Sequence, residues 1–236
     1  MRKTWDSKIV EELRNKALLH KEDIVLTKAE HDDTVCKIKH HVSQLDKQVN
    51  GSQELYTKKR SATKASDDIL LGKYGEYLVS HWLHNGNGKL PFLEPDMKVY
   101  AASKKTWEPD LRFSSMDKRL PDFAVKTCSP IAAKLTRKEK NDDYSWTFQN
   151  SNSSGNGGTD KLVWDKTNEV IVVFVYADTK NRGGTIVASS PWRKVSCLLG
   201  EPIIEKYKGI KKCIYYSDLE TVARGELRRL KQQRKE

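Results

Sequence analysis

The sequence lacks the features that would place the protein in a membrane or outside the cell. No hydrophobic run approaches the roughly 20 residues that a membrane-spanning helix needs. The first six residues do not form the apolar stretch of a signal peptide. We therefore expect a cytoplasmic protein without a membrane partner.

Cysteine is also scarce, and its spacing argues against a common metal site. None of the four cysteines, Cys36, Cys128, Cys197 and Cys213, belongs to a C-x-x-C pair, so a zinc ribbon is not expected. In a protein without an export signal, reduced thiols with structural roles are the default.

Apolar residues are few for a globular protein. They make up 37% of the 236 residues, and charged residues make up 32%. This length allows one domain with an appendage, or two small domains. We expect a modest hydrophobic core and some solvated arms.

Positive charge is in excess and is concentrated at the two ends of the chain. The net charge is +11; residues 1–66 carry 14 basic and 10 acidic side chains, and residues 205–236 carry 10 and 5. The middle of the chain is nearly balanced. Basic ends suit a polyanionic partner that carries phosphate. Solubility alone is the other interpretation.

The first 65 residues predict a helical arm followed by a polar linker. Apolar positions indicate one helix over residues 5–19 and a second over residues 28–49. The apolar positions of the second helix follow the heptad spacing of a helical hairpin or a coiled-coil seam. These positions are Val35, Ile38, Val42, Leu45 and Val49. Two interpretations are open: the helix packs on the chain's own body, or it forms a homodimer.

Residues 66–236 predict an organised α/β domain. Ser66 can cap a helix that ends near Asn85, and a basic terminal helix is predicted over Leu219–Gln232. The predicted strands are Met97–Ala102, Leu111–Ser115, Asp122–Cys128, Tyr144–Asn150, Glu169–Ala177, Gly184–Ser189 and Lys212–Tyr216. This order of elements predicts a central mixed sheet flanked by helices.

Two of these strands bring together the residue types that phosphodiester hydrolysis needs. The reaction uses hard divalent ions held by carboxylates, and a nearby lysine can orient the attacking water. Asp110 opens one strand, and Asp122, Ala124 and Lys126 share one face of the next because side chains alternate along a strand. A tight hairpin would bring Asp110 beside that face.

These residues resemble the PD-(D/E)XK nuclease superfamily, whose pattern is Pro-Asp, a spacer, and then Asp/Glu-x-Lys. Pro109-Asp110, thirteen further residues and Ala124-Val125-Lys126 match that pattern in spacing. Upstream, Gly72 to Glu76 resembles the helix signature G-x-x-G-E of many members. Downstream, Trp146 to Gln149 resembles a strand that carries an active-site glutamine in several members. The resemblance covers about residues 66–178.

The resemblance implies a restriction-endonuclease-like fold and a Mg²⁺-dependent endonuclease that acts on double-stranded DNA, with Mn²⁺ expected to substitute. Glu76 and Asp110 would bind the metal, Lys126 would assist the attacking water, and Gln149 would orient a ligand or a water. A restriction-type or phage-type enzyme of a bacterial or phage-infected cell is favoured, and such enzymes commonly act as dimers. This inference is an analogy at the level of the fold.

One position departs from the family pattern. Ala124 stands where the family has Asp or Glu, and an alanine side chain offers no oxygen to a metal. Three interpretations are open: Ala124 inactivates a nuclease, or Asp122 supplies the missing carboxylate as a metal ligand, or the protein is a natural pseudonuclease that binds nucleic acid without cutting it.

Each of these side chains also has an ordinary structural interpretation. Glu76 could be a solvated helix residue, Asp110 and Asp122 turn or strand-start residues, Lys126 a surface residue, and Gln149 an edge residue. The candidate DNA contacts, for which a solvated charged surface is the alternative, are Lys104, Lys105, Arg112, Arg119, Lys134, Arg137, Lys138, Arg193, Lys194, Arg228 and Arg229.

Overall fold

A computed structural model describes residues 7–49, 62–85, 90, 95–97, 110–112, 121–140, 144–150, 160–164 and 169–233. Its helices are α1 (Ser7–Asn15), α2 (Lys28–Val49), α3 (Ala62–Asn85), α4 (Pro130–Lys140), α5 (Lys161–Trp164), α6 (Trp192–Val195) and α7 (Tyr216–Gln233). Its strands are β1 (Leu18–Val25), β2 (Leu111–Arg112), β3 (Asp122–Cys128), β4 (Ser145–Gln149), β5 (Ile171–Asp178), β6 (Gly183–Pro191) and β7 (Lys211–Tyr215). None of the helices in these ranges is both long enough and apolar enough to span a membrane.

The main sheet is mixed, with five strands in the order β1-β6-β5-β3-β2. Strands β3 and β5 are parallel, and the other neighbouring pairs are antiparallel. The central strand β5 is buried from Ile171 to Val175, as its continuous apolar run predicts. Strands β4 and β7 form a separate antiparallel pair. The predicted α/β architecture, a mixed sheet flanked by helices, is confirmed.

The two faces of the main sheet are covered by different elements. On one face, α1, α2 and α3 enclose a first core; on the other, α4, α6, α7 and the β4–β7 pair enclose a second core. Strand β3 contributes to both cores because its side chains alternate. Phe123 and Val125 belong to the first core, and Ala124 and Cys128 belong to the second.

The N-terminal segment contributes a strand to this sheet. Helix α1 ends at Asn15, so the expectation of a helix up to residue 19 is wrong, and Leu18–Val25 pairs with β6 instead. The pairing is irregular between Leu19 and Glu22, where Lys21 has a φ of 53°, as at a β-bulge. The sequence analysis missed this strand because the bulge breaks the alternation of apolar and polar side chains. The described part of the predicted arm is therefore not helical throughout.

Helix α2 begins at the predicted residue because a capping box precedes it. The backbone N–H of Thr27 donates to Glu30 Oε2 at 2.9 Å, and the N–H of Glu30 donates to Thr27 Oγ1 at 3.2 Å. Ile38 and Val42, two of the heptad-spaced residues, are buried in the first core beside α3. These two residues thus pack on the chain's own body. Homodimerisation stays a prediction.

Helix α4 was not predicted, because it is rich in charged residues and, of its described side chains, only Ala133 and Thr136 are buried, while Ile131 is exposed. The predicted strand Met97–Ala102 lies outside the described residues except for Met97, and Leu111–Ser115 is described only as β2. The other five predicted strands agree with the structure to within two residues at each end.

Helix α3 approaches strand β3 closely at Gly75. A Cβ atom at this position would lie 2.2 Å from the hydroxyl oxygen of Thr127 and 3.0 Å from its methyl carbon. Thr127 is branched at Cβ and has little freedom to move aside. Gly72, almost one turn earlier, has open space instead, since a Cβ there would meet no atom within 4 Å. Glycine is therefore required at 75, next to Glu76, and not at 72.

We predict opposite effects of alanine at these two glycines. Gly75→Ala should lower the free energy of unfolding by on the order of 1–3 kcal/mol, because helix and strand must separate. Gly72→Ala should raise it by up to about 1 kcal/mol, the difference in helix propensity. Urea unfolding followed by circular dichroism measures both. Equal stability of the two variants would show that the contact with Thr127 sets no limit on the packing.

Candidate active site

Helix α3 carries a buried carboxylate. Glu76 is only 7% exposed, so it is not a solvated helix residue. Lys73, three residues earlier on the same helix, donates from Nζ to Glu76 Oε2 at 2.9 Å. A carboxylate and an ammonium are thus placed together on the inner side of α3, and the carboxylate directly follows Gly75, where α3 packs closely on β3.

Asp110 lies directly before β2 and contacts β3. Leu111 pairs with Phe123, and the backbone N–H of Val125 donates to Asp110 Oδ2 at 2.7 Å. The carboxylate therefore extends the pairing of the two strands by one side-chain hydrogen bond. It lies beside the segment from Ala124 to Lys126, as the predicted hairpin required.

The charge of Asp110 acts on the ionisation of Glu76. Burial, which is the largest cause, and the charge of Asp110 together raise the pKa of Glu76 to about 8, while Lys73 acts in the opposite direction. Burial also raises the pKa of Asp110, opposed by the charge of Lys126 and by the hydrogen bond from Val125. Burial therefore makes the charged form of each carboxyl group less favourable than it is in water.

Lys126 points to the side of β3 that faces the second core. Its Nζ donates to Asp160 Oδ2 and lies 4.9 Å from the centre of the Phe148 ring. The side chains of Lys126 and Asp160 are 20% and 18% exposed, so this ion pair is largely enclosed. Lys126 is therefore not a freely solvated surface lysine.

Asp160 is the residue at this site that the sequence analysis missed. It follows a Ser/Asn/Gly-rich stretch and lies 34 positions after Lys126, so no local motif joins the two. Its one local signature is that of a helix cap, since its Oδ1 accepts the N–H of Leu162 at 3.0 Å directly before α5. That signature marks the start of a helix and gives no indication of an ion pair with β3.

Three other predicted site residues are placed nearby. Ala124 is buried in the second core, paired with Val172 on β5. Asp122 is the half-buried first residue of β3, opposite Arg112. Gln149 ends β4, and its carbonyl oxygen accepts the N–H of Asp160 at 2.8 Å.

The donor set suits a hard divalent cation held by few protein ligands. In the described residues, no group of three or more His, Cys, Asp or Glu side chains could enclose a metal ion. Mg²⁺, however, is usually bound by one or two carboxylates, with water and substrate phosphate completing its shell. Glu76 and Asp110 fit this role, because a bound cation would offset the burial of two neighbouring acidic groups.

The candidate DNA contacts fall into three groups. Lys134, Arg137 and Lys138 are exposed on α4, on the same side of the sheet as the second core. Arg193 and Arg228 are exposed, whereas Lys194 is half-buried in an ion pair with Glu226. Lys104, Lys105 and Arg119 lie outside the described residues, and only the backbone is described at Arg112 and Arg229.

Comparison of the chain with protein-family models, with curated proteins and with solved structures finds no match. The resemblance to the PD-(D/E)XK superfamily therefore depends on the residues and geometry of this chain alone, and membership stays a prediction.

We predict that Glu76 makes the stability of the metal-free protein depend on pH. Its pKa in the folded state, about 8, lies above the ordinary value of 4.5. The stabilisation is therefore fully present below about pH 4.5 and is lost as the pH rises through 8. Above that pH the loss should be on the order of a few kcal/mol. Glu76→Gln, which cannot ionise, should be more stable than the unchanged chain at pH 9 in EDTA.

Thermal unfolding between pH 5 and pH 9 in EDTA measures this difference. Glu139→Gln, at an exposed glutamate of α4, is the matched control and should leave the pH dependence unchanged. If the unfolding temperatures of Glu76→Gln and of the unchanged chain changed with pH in parallel, Glu76 would not be the buried acidic group inferred above.

Proposed function

We propose that this chain has the site of a Mg²⁺-dependent endonuclease that hydrolyses phosphodiester bonds of duplex DNA. The observation that carries the proposal is that Asp110 lies within electrostatic reach of both Glu76 on α3 and Lys126 on β3, which approach it from opposite sides of the strand. They come from three separate elements, in the order and spacing of the PD-(D/E)XK pattern. A restriction-endonuclease-like fold is part of this proposal.

The roles follow from the chemistry of the side chains. Glu76 and Asp110 would hold the cation, which supplies charge neutralisation at the phosphate and a more acidic water when bound. Lys126 would orient the attacking water or stabilise negative charge on the phosphate. Its ammonium is held by Asp160 and by the face of the Phe148 ring. Gln149, at the end of β4, would contact a water or a substrate oxygen.

The substrate assignment is supported by the basic side of α4. Lys134, Arg137 and Lys138 have the spacing that places side chains on one side of a helix, and α4 begins four residues after Lys126. Exposed lysine and arginine near a phosphate-cleaving site suit contacts to the DNA backbone, which provide affinity without sequence recognition.

A second candidate function follows from Ala124. Ala124 is 9% exposed and packs in the second core, where its methyl group provides no ligand for a cation. A protein with the basic surface and the nuclease-like sheet, but with too few ligands for catalysis, would bind nucleic acid without cutting it. The two candidates differ only in whether a carboxylate at position 124 produces cleavage.

We predict that Ala124→Glu or Ala124→Asp cleaves plasmid DNA in Mg²⁺ at least about 100-fold faster than the unchanged chain, the size of effect expected when a group that stabilises charge in the transition state is restored. EDTA should abolish the cleavage, and Asp110→Asn or Lys126→Met in the Ala124→Glu background should remove it. Gel electrophoresis over time gives the rates.

The outcomes separate the interpretations of Ala124. Equal cleavage by the unchanged chain would mean that another carboxylate, such as Asp122, already completes the site. Binding of DNA without cleavage by any variant would favour the pseudonuclease. Cleavage that survives Asp110→Asn and Lys126→Met would contradict the assigned roles.

We predict that replacing Lys134, Arg137 and Lys138 together by alanine weakens duplex binding and flattens its salt dependence. Each lost phosphate contact should reduce the slope of log K against log salt by about 0.9, so the slope should fall by roughly 2–3. Fluorescence anisotropy in EDTA at several salt concentrations measures this slope without cleavage.

The control removes the same charge from the opposite face of the sheet. Lys28, Lys37 and Lys39 are exposed on α2, which packs in the first core, and their triple alanine variant should keep most of the slope. Equal losses in both variants would mean that net charge, and not the α4 surface, determines binding.

A further inference from the structure

Asp160 is held rigidly from two directions before it meets Lys126. Its backbone N–H donates to the carbonyl of Gln149 at 2.8 Å, which fixes it at the end of β4. Its Oδ1 accepts the N–H of Leu162 at 3.0 Å, which fixes the side chain at the start of α5. The remaining oxygen, Oδ2, accepts from Lys126 Nζ. A carboxylate fixed in this way gives the ammonium one defined position.

Lys126 has a second acidic neighbour. The charge of Lys126 is the largest influence that lowers the pKa of Asp110, and the charge of Asp160 acts on Asp110 in the opposite direction. The ammonium therefore lies within electrostatic reach of both carboxylates. A lysine has a flexible side chain and three donors, so it would turn to Asp110 if its other partner were removed.

Such a contact would interfere with the proposed cation site. An ammonium on Asp110 would occupy the oxygens that a divalent cation needs, and its positive charge would repel the cation at short range. Among the described residues, no group of three or more His, Cys, Asp or Glu side chains is arranged to hold a metal ion, so no other cluster of ligands would replace Asp110. The position of Lys126 thus decides whether Asp110 is available.

We propose that Asp160 is a positioning residue that holds the Lys126 ammonium away from Asp110, so that Asp110 can bind the divalent cation. The inference rests on the proposed function only in assuming that Glu76 and Asp110 form a cation site. The alternative is that Asp160 is itself a metal ligand and replaces the acidic residue missing at position 124.

A double-mutant cycle distinguishes these two roles. Asp160→Ser keeps an oxygen that can cap α5 but is too short to reach Lys126, so it removes the ion pair and retains the local fold. Lys126→Met removes the ammonium. Isothermal titration with Mn²⁺, in the absence of DNA, gives the affinity of the full-length chain, of each variant and of the double variant.

If Asp160 acts through Lys126, Asp160→Ser should weaken Mn²⁺ binding roughly 5- to 50-fold, within the range for strongly coupled neighbours. The same change in the Lys126→Met background should alter the affinity less than about twofold, because no ammonium remains to block Asp110. Asp160→Asn, which can still accept from Lys126, should recover most of the affinity.

Other outcomes would overturn the proposal. An equal loss of affinity on Asp160→Ser with and without Lys126 would make Asp160 a direct ligand. Unchanged affinity in Asp160→Ser, or no Mn²⁺ binding by the unchanged chain, would remove the positioning role. The titration needs no cleavage. A chain without nuclease activity can therefore still show the predicted coupling between Asp160 and Lys126, and an active nuclease can show no coupling.

Discussion

The close packing of helix α3 on strand β3 is the contact on which the candidate site depends. Only a residue without a side chain fits between the helix backbone and Thr127, and Gly75 is that residue. Glu76 follows it, and is therefore carried inward with the helix. The same closeness that buries Glu76 brings it within range of Asp110 and makes its negative charge unfavourable even beside the ammonium of Lys73.

Strand β3 positions the other residues of the candidate site, because each of its residues contacts a different neighbour. Its backbone at Val125 holds Asp110, Thr127 contacts the helix, and Lys126 faces the opposite core toward Asp160. One strand of seven residues thus determines the relative positions of groups from three other segments. The candidate site lies at the boundary of two hydrophobic cores, and the packing of both cores limits the movement of its charges.

The sequence predicts the strands with continuous or alternating apolar residues, because these signals are local. It also predicts that Asp110 lies beside the strand that carries Lys126, because a hairpin joins neighbours along the chain. It misplaces the start of α3, since Ser66, which was predicted to cap this helix, lies inside a helix that begins at Ala62. It misses β1, whose bulge disrupts the alternation, and α4, whose buried side is small.

The sequence also did not predict the contact of Asp160 with Lys126, because this contact has no local signal. Asp160 reaches Lys126 only because β4 and α5 are folded onto the second core. That contact is a property of the tertiary structure, and the residue types alone do not encode it. At Ala124, by contrast, the sequence alone shows that an alanine stands where the PD-(D/E)XK pattern has an acidic residue. The structure adds that its methyl group is packed among apolar neighbours.

The position of β1 at the edge of the main sheet has a consequence for how the chain folds. Leu18 of β1 pairs with Ser189 of β6, so β1 cannot pair until a strand far along the chain has been synthesised. Contacts between distant parts of a chain slow folding, because a long loop must close before they form. Until β1 docks, β6 presents an unpaired edge, and such edges are where unfinished chains pair with one another. Yield on expression should therefore respond more strongly to changes in β1 than its small share of the core suggests.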